Sequence, residues 1–254
     1  MLIESISFVL NAIIVAIASG FISSLLGIGG GFIRVPLIVY LFNTSIKLAY
    51  SVNYLIISLG SLAGAYVYWR HKKIDIEAFC LGCLASIMGM TLSSYFVGKY
   101  VSSEQLKAIF GGSYIILGTY MALRTLRSAQ NKKLRTLEHK KPLLVILMFL
   151  AGFASGFMGA GGGIYYVPIL ITLGYPTNTA VGTSLFLVIF TSLAGGITLS
   201  SIGFVDTKLF VAITIPTLLA TWLGAKISVK LHPKILEVIY SSLMILVGIS
   251  MLLK

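Results

Sequence analysis

This sequence predicts an all-α polytopic membrane protein of two inverted-topology repeats, each with about five hydrophobic segments including a short broken or re-entrant helix. Three observations predict it. Hydrophobic residues make up 57% of the 254 residues and charged ones only 10%, with a mean hydropathy of +0.99. Soluble domains carry ~25% charged residues, so seven acids and nineteen bases cannot cover a soluble surface, and the apolar excess excludes disorder. Apolar runs recur along the chain, most of them long enough to span a bilayer. The second half of the chain then repeats the first.

The runs, in order, are Ile6–Leu26, Phe32–Phe42, Leu48–Trp69, Ala78–Val97, Leu106–Leu123, Leu143–Met158, Ile164–Leu173, Ala180–Leu199, Leu209–Val229 and Ile235–Leu253. A spanning helix needs ~20 apolar residues, and most of these qualify. The first residues, MLIES, lack a basic segment and no A-x-A site follows, so the first run is expected to be retained as a helix. The second and seventh runs are about ten residues long, or ~15 Å of helix, which is half a bilayer. Each follows a glycine cluster and carries a proline near its start, Pro36 and Pro168. They read as helices that begin inside the membrane or re-enter it, with the two prolines marking the break.

The repeat is explicit. Phe21–Pro36 (FISSLLGIGGGFIRVP) aligns with Phe153–Pro168 (FASGFMGAGGGIYYVP), and eight of the sixteen positions are identical. Further on, Ser61-Leu62-Ala63-Gly64 matches Ser192-Leu193-Ala194-Gly195, Asp75 matches Asp206, and Gly118 and Met121 match Gly248 and Met251. Residues 1–124 and 142–254 are therefore two homologous halves, joined by a basic linker at 125–141.

Bases mark the cytoplasmic loops of membrane proteins. The stretch Arg124–Lys141 holds seven of the nineteen bases and one acid, Glu138, so the linker is expected in the cytoplasm. Two runs separate it from the basic loop Arg70-His71-Lys72-Lys73, which places that loop on the same side. In the second half the equivalent loop, Ser200–Val205, has no base, and Lys226–Lys234 is basic instead. A bias that changes loops between homologous halves is the mark of inverted repeats. It puts both termini outside a plasma (inner) membrane. The same distribution argues against nucleic acid as a partner, which needs a basic stripe on a soluble fold. The basic loops fit anionic lipid headgroups.

The chemistry is concentrated in the doubled G-x-G-G-G-x-x-x-V-P, at Gly27, Gly29, Gly30 and Gly31 and again at Gly159, Gly161, Gly162 and Gly163. Small residues of this kind let helices pack closely. They also unwind the chain, so that the next short helix presents free N–H groups and a partial positive charge to an anion. Paired interrupted segments in two halves favour the second reading. Arg34 lies three residues after the first cluster, where the second half has Tyr166. An intramembrane Arg is costly and points to function, and its planar fork suits oxyanions. Asn53, Thr183 and Ser184, polar residues in apolar runs behind the breaks, are expected to orient substrate oxygens.

Other features carry less. Cys80 and Cys83 lie in an apolar run with no second pair or histidine to complete a metal site, and they read as packing residues. No metal or cofactor is expected, and no P-loop or hydrolase signature is present. The protein reads as a non-enzyme. Asp75, Glu77, Asp206 and Glu237 all fall at run ends. Coupling then runs through an end-placed acid, through a substrate carrying its own proton, or by uniport.

The doubled glycine motif, Ala180-Val181-Gly182-Thr183-Ser184, the chain length and the basic central linker resemble the TauE/SafE family of sulfite and sulfonate exporters, also called the toluene sulfonate uptake permease family. The resemblance covers the whole chain. In the first half Ala49-Tyr50-Ser51-Val52-Asn53 replaces the family's G-T-S step. What the resemblance implies is a permease for small sulfur-containing anions such as sulfite, thiosulfate or organosulfonates. Alternating access would occur about a midplane site between the glycine breaks. A carrier of a carboxylate or a neutral solute, and a non-transporting membrane assembly component, are the alternatives. A homo-oligomer is compatible with all three.

Overall fold

The computed structural model describes residues 2–26, 30–127, 141–228, 230–231 and 233–252. Ten helices fill them: α1 (Leu2–Leu26), α2 (Gly31–Phe42), α3 (Ile46–Arg70), α4 (Ile76–Tyr100), α5 (Ser103–Arg127), α6 (Lys141–Met158), α7 (Gly163–Thr172), α8 (Thr177–Ser201), α9 (Thr207–Ser228) and α10 (Pro233–Leu252). Seven of these, α1, α3, α4, α5, α6, α8 and α9, are long and apolar enough to cross a membrane. Most of the predicted linker, residues 128–140, lies outside the described residues. Its first residues do not read as a loop, because α5 continues as helix through Arg127.

Helix boundaries follow capping chemistry that hydropathy alone does not show. Asp75 Oδ1 accepts from the Ala78 N–H at 2.9 Å and Asp206 Oδ1 from the Leu209 N–H at 2.9 Å, so the aligned acids perform the same N-terminal task for α4 and α9. Ser45 Oγ accepts from Leu48 N–H at 3.3 Å to start α3. Ser102 and Gln105 cap α5 reciprocally, at 2.9 and 3.2 Å.

The core is a pair of helices. In α3 and α8, 72% of the most apolar window is buried, against 33–39% in the other five candidate spans. These two helices pack on each other, α9 adds to α3 and α4 adds to α8. Outside them α1 packs on α9, α6 on α4, and α5 on α10. Small residues make the outer contacts close. A Cβ on Gly152 would clash with Ser86 O, and one on Gly20 would lie 3.1 Å from Thr217 O. Gly118 abuts Ile245, and Gly248 abuts Ile115. Without a hydrophobic drive between helices in lipid, such approach is what holds them together.

Contacts also sort the loops to two ends. At one end the Asp75 N–H donates to Thr183 Oγ1 at 2.8 Å, Lys141 pairs with Glu77 at 2.6 Å, and the Tyr68 hydroxyl meets Ser228 Oγ at 2.5 Å. At the other, Lys47 Nζ donates to Gly98 O at 3.1 Å and lies over the Phe204 ring, while Ser51 and Ser200 meet at 3.2 Å. The helix α2 finishes at this second end, where Phe42 packs on Phe8. The helix α7 finishes at the first, where Thr172 meets Tyr120.

Candidate functional site

The two short helices are 12 and 10 residues long, ~18 and ~15 Å, and each begins at a glycine break. The residues preceding them, Gly30 and Gly162, have φ of 73° and 96°. Such left-handed backbone is routine only for glycine, and Gly159 and Gly161 adopt it as well. The prolines are not the break. Pro36 and Pro168 lie inside α2 and α7, which continue as helix through them. Each removes one backbone donor without stopping the turn.

The two breaks meet. A Cβ on Gly31 would lie 2.6 Å from Asn53 Nδ2 and 2.8 Å from both Ala160 Cα and Gly159 O. Gly31, the first residue of α2, therefore rests against the chain that leaves α6. Asn53 bridges the two, donating from Nδ2 to Gly159 O and accepting at Oδ1 from Arg34 Nη1 at 3.1 Å. Arg34 also donates from Nε to Ser19 Oγ at 2.9 Å. It is 0% exposed. Its partners are neutral, and its Nη2 has no hydrogen-bond partner among the described residues. A buried cation normally requires a compensating charge.

The second break is held from α8. Thr191 and Ser192 donate to Gly161 O at 3.2 and 3.3 Å. The Tyr166 ring lies against Gly162, and its buried hydroxyl, beside Thr191 and Ser86, makes no hydrogen bond among the described residues. Gly163 opens α7. Of the other residues expected in a site, Ser184 is fully buried in α8, whereas Thr183 is occupied at the Asp75 end of the bundle. Gly27 and Gly29 lie outside the described residues.

Three residues at this junction escape sequence reasoning. Ser19 was not legible, because nothing in α1 ties it to a guanidinium fifteen residues on. Tyr50 and Tyr54 cap the end of α6: Tyr50 donates to Phe157 O at 2.9 Å, and Tyr54 to Ser155 O and Gly156 O at 2.9 and 3.2 Å. The last carbonyls of a helix have no partner within it, and inside a membrane they must find one. Tyr50, Asn53 and Tyr54 share one face of α3 at spacings of three and four. That spacing of polar tips in an apolar run is the signal that could have found them.

The sequence model of the family described as "Sulfite exporter TauE/SafE" matches residues 12–251. A protein of Methanocaldococcus jannaschii named as a probable membrane transporter is 30% identical over 95% of this chain and 94% of its own length. A Bacillus subtilis protein of the same description is 25% identical over 95% of this chain and 96% of its own length. In Arabidopsis thaliana, "Sulfite exporter TauE/SafE family protein 6" is 28% identical over 66% of this chain and 39% of its own length. No solved structure matches.

Proposed function

From the chain's membership of the sulfite exporter TauE/SafE family, we propose that it is a permease for small anions, sulfur oxyanions foremost, that works by alternating access at the junction of its two glycine breaks. The observation that carries this reading is Arg34: a fully buried guanidinium, held by two neutral side chains, with Nη2 unpartnered among the described residues. An oxyanion at Nη2 supplies the missing charge and an acceptor of the right geometry. The N-terminus of α2 adds its partial positive charge to the same region. Asn53 sets the fork, and the buried Tyr166 hydroxyl stands beside Thr191 and Ser86 on the second-half side.

The alternating step rests on the halves being inverted repeats. Exchanging α1–α5 with α6–α10 returns the main neighbours: α1 on α9 becomes α6 on α4, while α3 on α8 and α5 on α10 become themselves. The contacts exchange too. Gly20 at Thr217 O corresponds to Gly152 at Ser86 O, and Gly118 at Ile245 to Gly248 at Ile115. The short helices α2 and α7 leave the junction toward opposite ends. This supports a two-fold axis through the site, the arrangement about which one half rocks against the other. A membrane potential, negative inside, favours anion exit by ~2.3 kcal/mol per charge per 100 mV, so export needs no further energy source.

The test is flux. The protein is reconstituted in liposomes, and uptake of labelled sulfite is followed with sulfonates and carboxylates as competitors and with Arg34→Ala in parallel. The expected result is saturable uptake, inhibited by sulfur oxyanions and lost in Arg34→Ala. Uptake that only carboxylates inhibit keeps the site and discards the substrate. Sulfite uptake at the wild-type rate in Arg34→Ala removes Arg34 from it.

A further inference from the structure

We infer that the outer face of α3 and α8 holds one anionic phospholipid, its phosphate at Arg70 and Lys72 and an acyl chain in the groove below Trp69. Two adjoining cavities, sharing Trp69, carry the inference. The first is about 460 Å³ and is lined by Trp69, Arg70, Lys72, Ile74 and Ile76, at the C-terminal end of α3. The second is about 370 Å³ and is lined by Leu62, Ala65, Tyr66, Trp69, Phe186 and Ile189. Both fall in the ~300–1,000 Å³ range of small-molecule sites.

Their chemistry differs in the order a lipid requires. The second cavity runs back along α3 toward the middle of the helix and is walled by apolar and aromatic side chains. Its floor is stiff: Phe186 packs on Phe79 at 4.5 Å between centroids, with Trp69 at 6.1 Å. Trp69 is 53% exposed and stands where the apolar wall gives way to the cations, as tryptophans do at the headgroup level. Arg70 and Lys72 are exposed at the top. The two acids nearest in sequence are engaged elsewhere, Asp75 as the cap of α4 and Glu77 with Lys141. An acyl groove capped by two cations fits an anionic headgroup, and a zwitterionic one less well. Helix α6 begins at this same end, with Lys141 on Glu77, so the lipid belongs to the leaflet at that end.

Native mass spectrometry of the full chain in detergent tests this, with phosphatidylglycerol or phosphatidylcholine added. One phosphatidylglycerol is expected to remain bound per chain, and phosphatidylcholine far less. The double variant Arg70→Gln/Lys72→Gln is expected to bind phosphatidylglycerol roughly 30-fold more weakly, as the loss of two interfacial bases predicts. Lys226→Gln/Lys230→Gln, which removes the same charge elsewhere, should bind as the wild type does. Equal retention of the two lipids, equal losses in the two double variants, or a second protein chain in place of lipid each overturns the assignment.

Discussion

A guanidinium that has neutral partners keeps its charge available, and this is the ground on which Arg34 is proposed as a binding group. Ser19 and Asn53 fix its plane without neutralising it. Asn53→Asp is therefore a sharper probe than removal of the arginine. The new carboxylate would stand 3.1 Å from Nη1 and take the place of the anion. Sulfite flux is expected to fall to background. Asn53→Ala removes the charge-assisted bond from Arg34, worth ~1.5–3 kcal/mol, together with the Nδ2 bond to Gly159 O, and is expected to retain flux with affinity weakened by about 10–100-fold. Wild-type transport by Asn53→Asp, measured in liposomes, would take the Arg34–Asn53 pair out of the site. Arg34 and Asn53 were both legible in the sequence, as a charge and an amide in apolar runs. Ser19 was not, because its role depends on which helices touch, and Tyr50 and Tyr54 were legible only as polar tips at helical spacing, their partners in α6 being a matter of packing. Thr183 shows the converse. Its position in a polar patch suggested the site, but its hydroxyl is taken by the Asp75 N–H.

Among the elements, the ten helices follow the ten apolar runs because each run is a single covalent stretch with its own period and end signals. The ends moved where polar groups decide them: α3 begins at Ile46 and α5 carries on to Arg127, well into the basic stretch. A basic composition marks the side of the membrane, not the end of a helix. The breaks were legible as glycine clusters, and the prolines misled because a helix can lose one donor and continue. How closely the helices pack is a property of pairs, and here the halves differ. A Cβ on Gly152 would overlap Ser86 O, whereas on Gly20 it would lie 3.0 Å from Ala220 Cβ and 3.1 Å from Thr217 O. Gly152→Leu is thus expected to separate α6 from α4 and cost more than the ~1–3 kcal/mol of ordinary overpacking. Gly20→Leu, at the equivalent place, should cost less. Unfolding temperatures of the two variants in one detergent give the order, and the reverse order would contradict the packing described for these pairs.

At the scale of the whole molecule, inversion makes a claim that no single half can make: homologous loops must face opposite compartments. The basic loop at Lys72 and the start of α6 share one end of the bundle, through Glu77 and Lys141. The loop at Gly203, homologous to the one at Lys72, sits at the other end, where Phe204 lies under Lys47. After Cys80 and Cys83 are replaced by serine, a single cysteine at Lys72, Glu138 or Gly203 can be labelled with a membrane-impermeant maleimide on intact cells. The Gly203→Cys protein is expected to label at once. Lys72→Cys and Glu138→Cys are expected to label only after the membrane is permeabilised, since positively charged segments stay in the cytoplasm. Labelling of positions 72 and 203 from the same side would mean parallel halves. The meeting of Gly31 with Gly159 would then be a packing contact between two hairpins, with no axis through Arg34 about which to alternate. Labelling from opposite sides leaves Arg34 and Tyr166 as symmetry-related positions of different chemistry, so that the proposed site, if it holds an anion, would hold it asymmetrically within a symmetric frame.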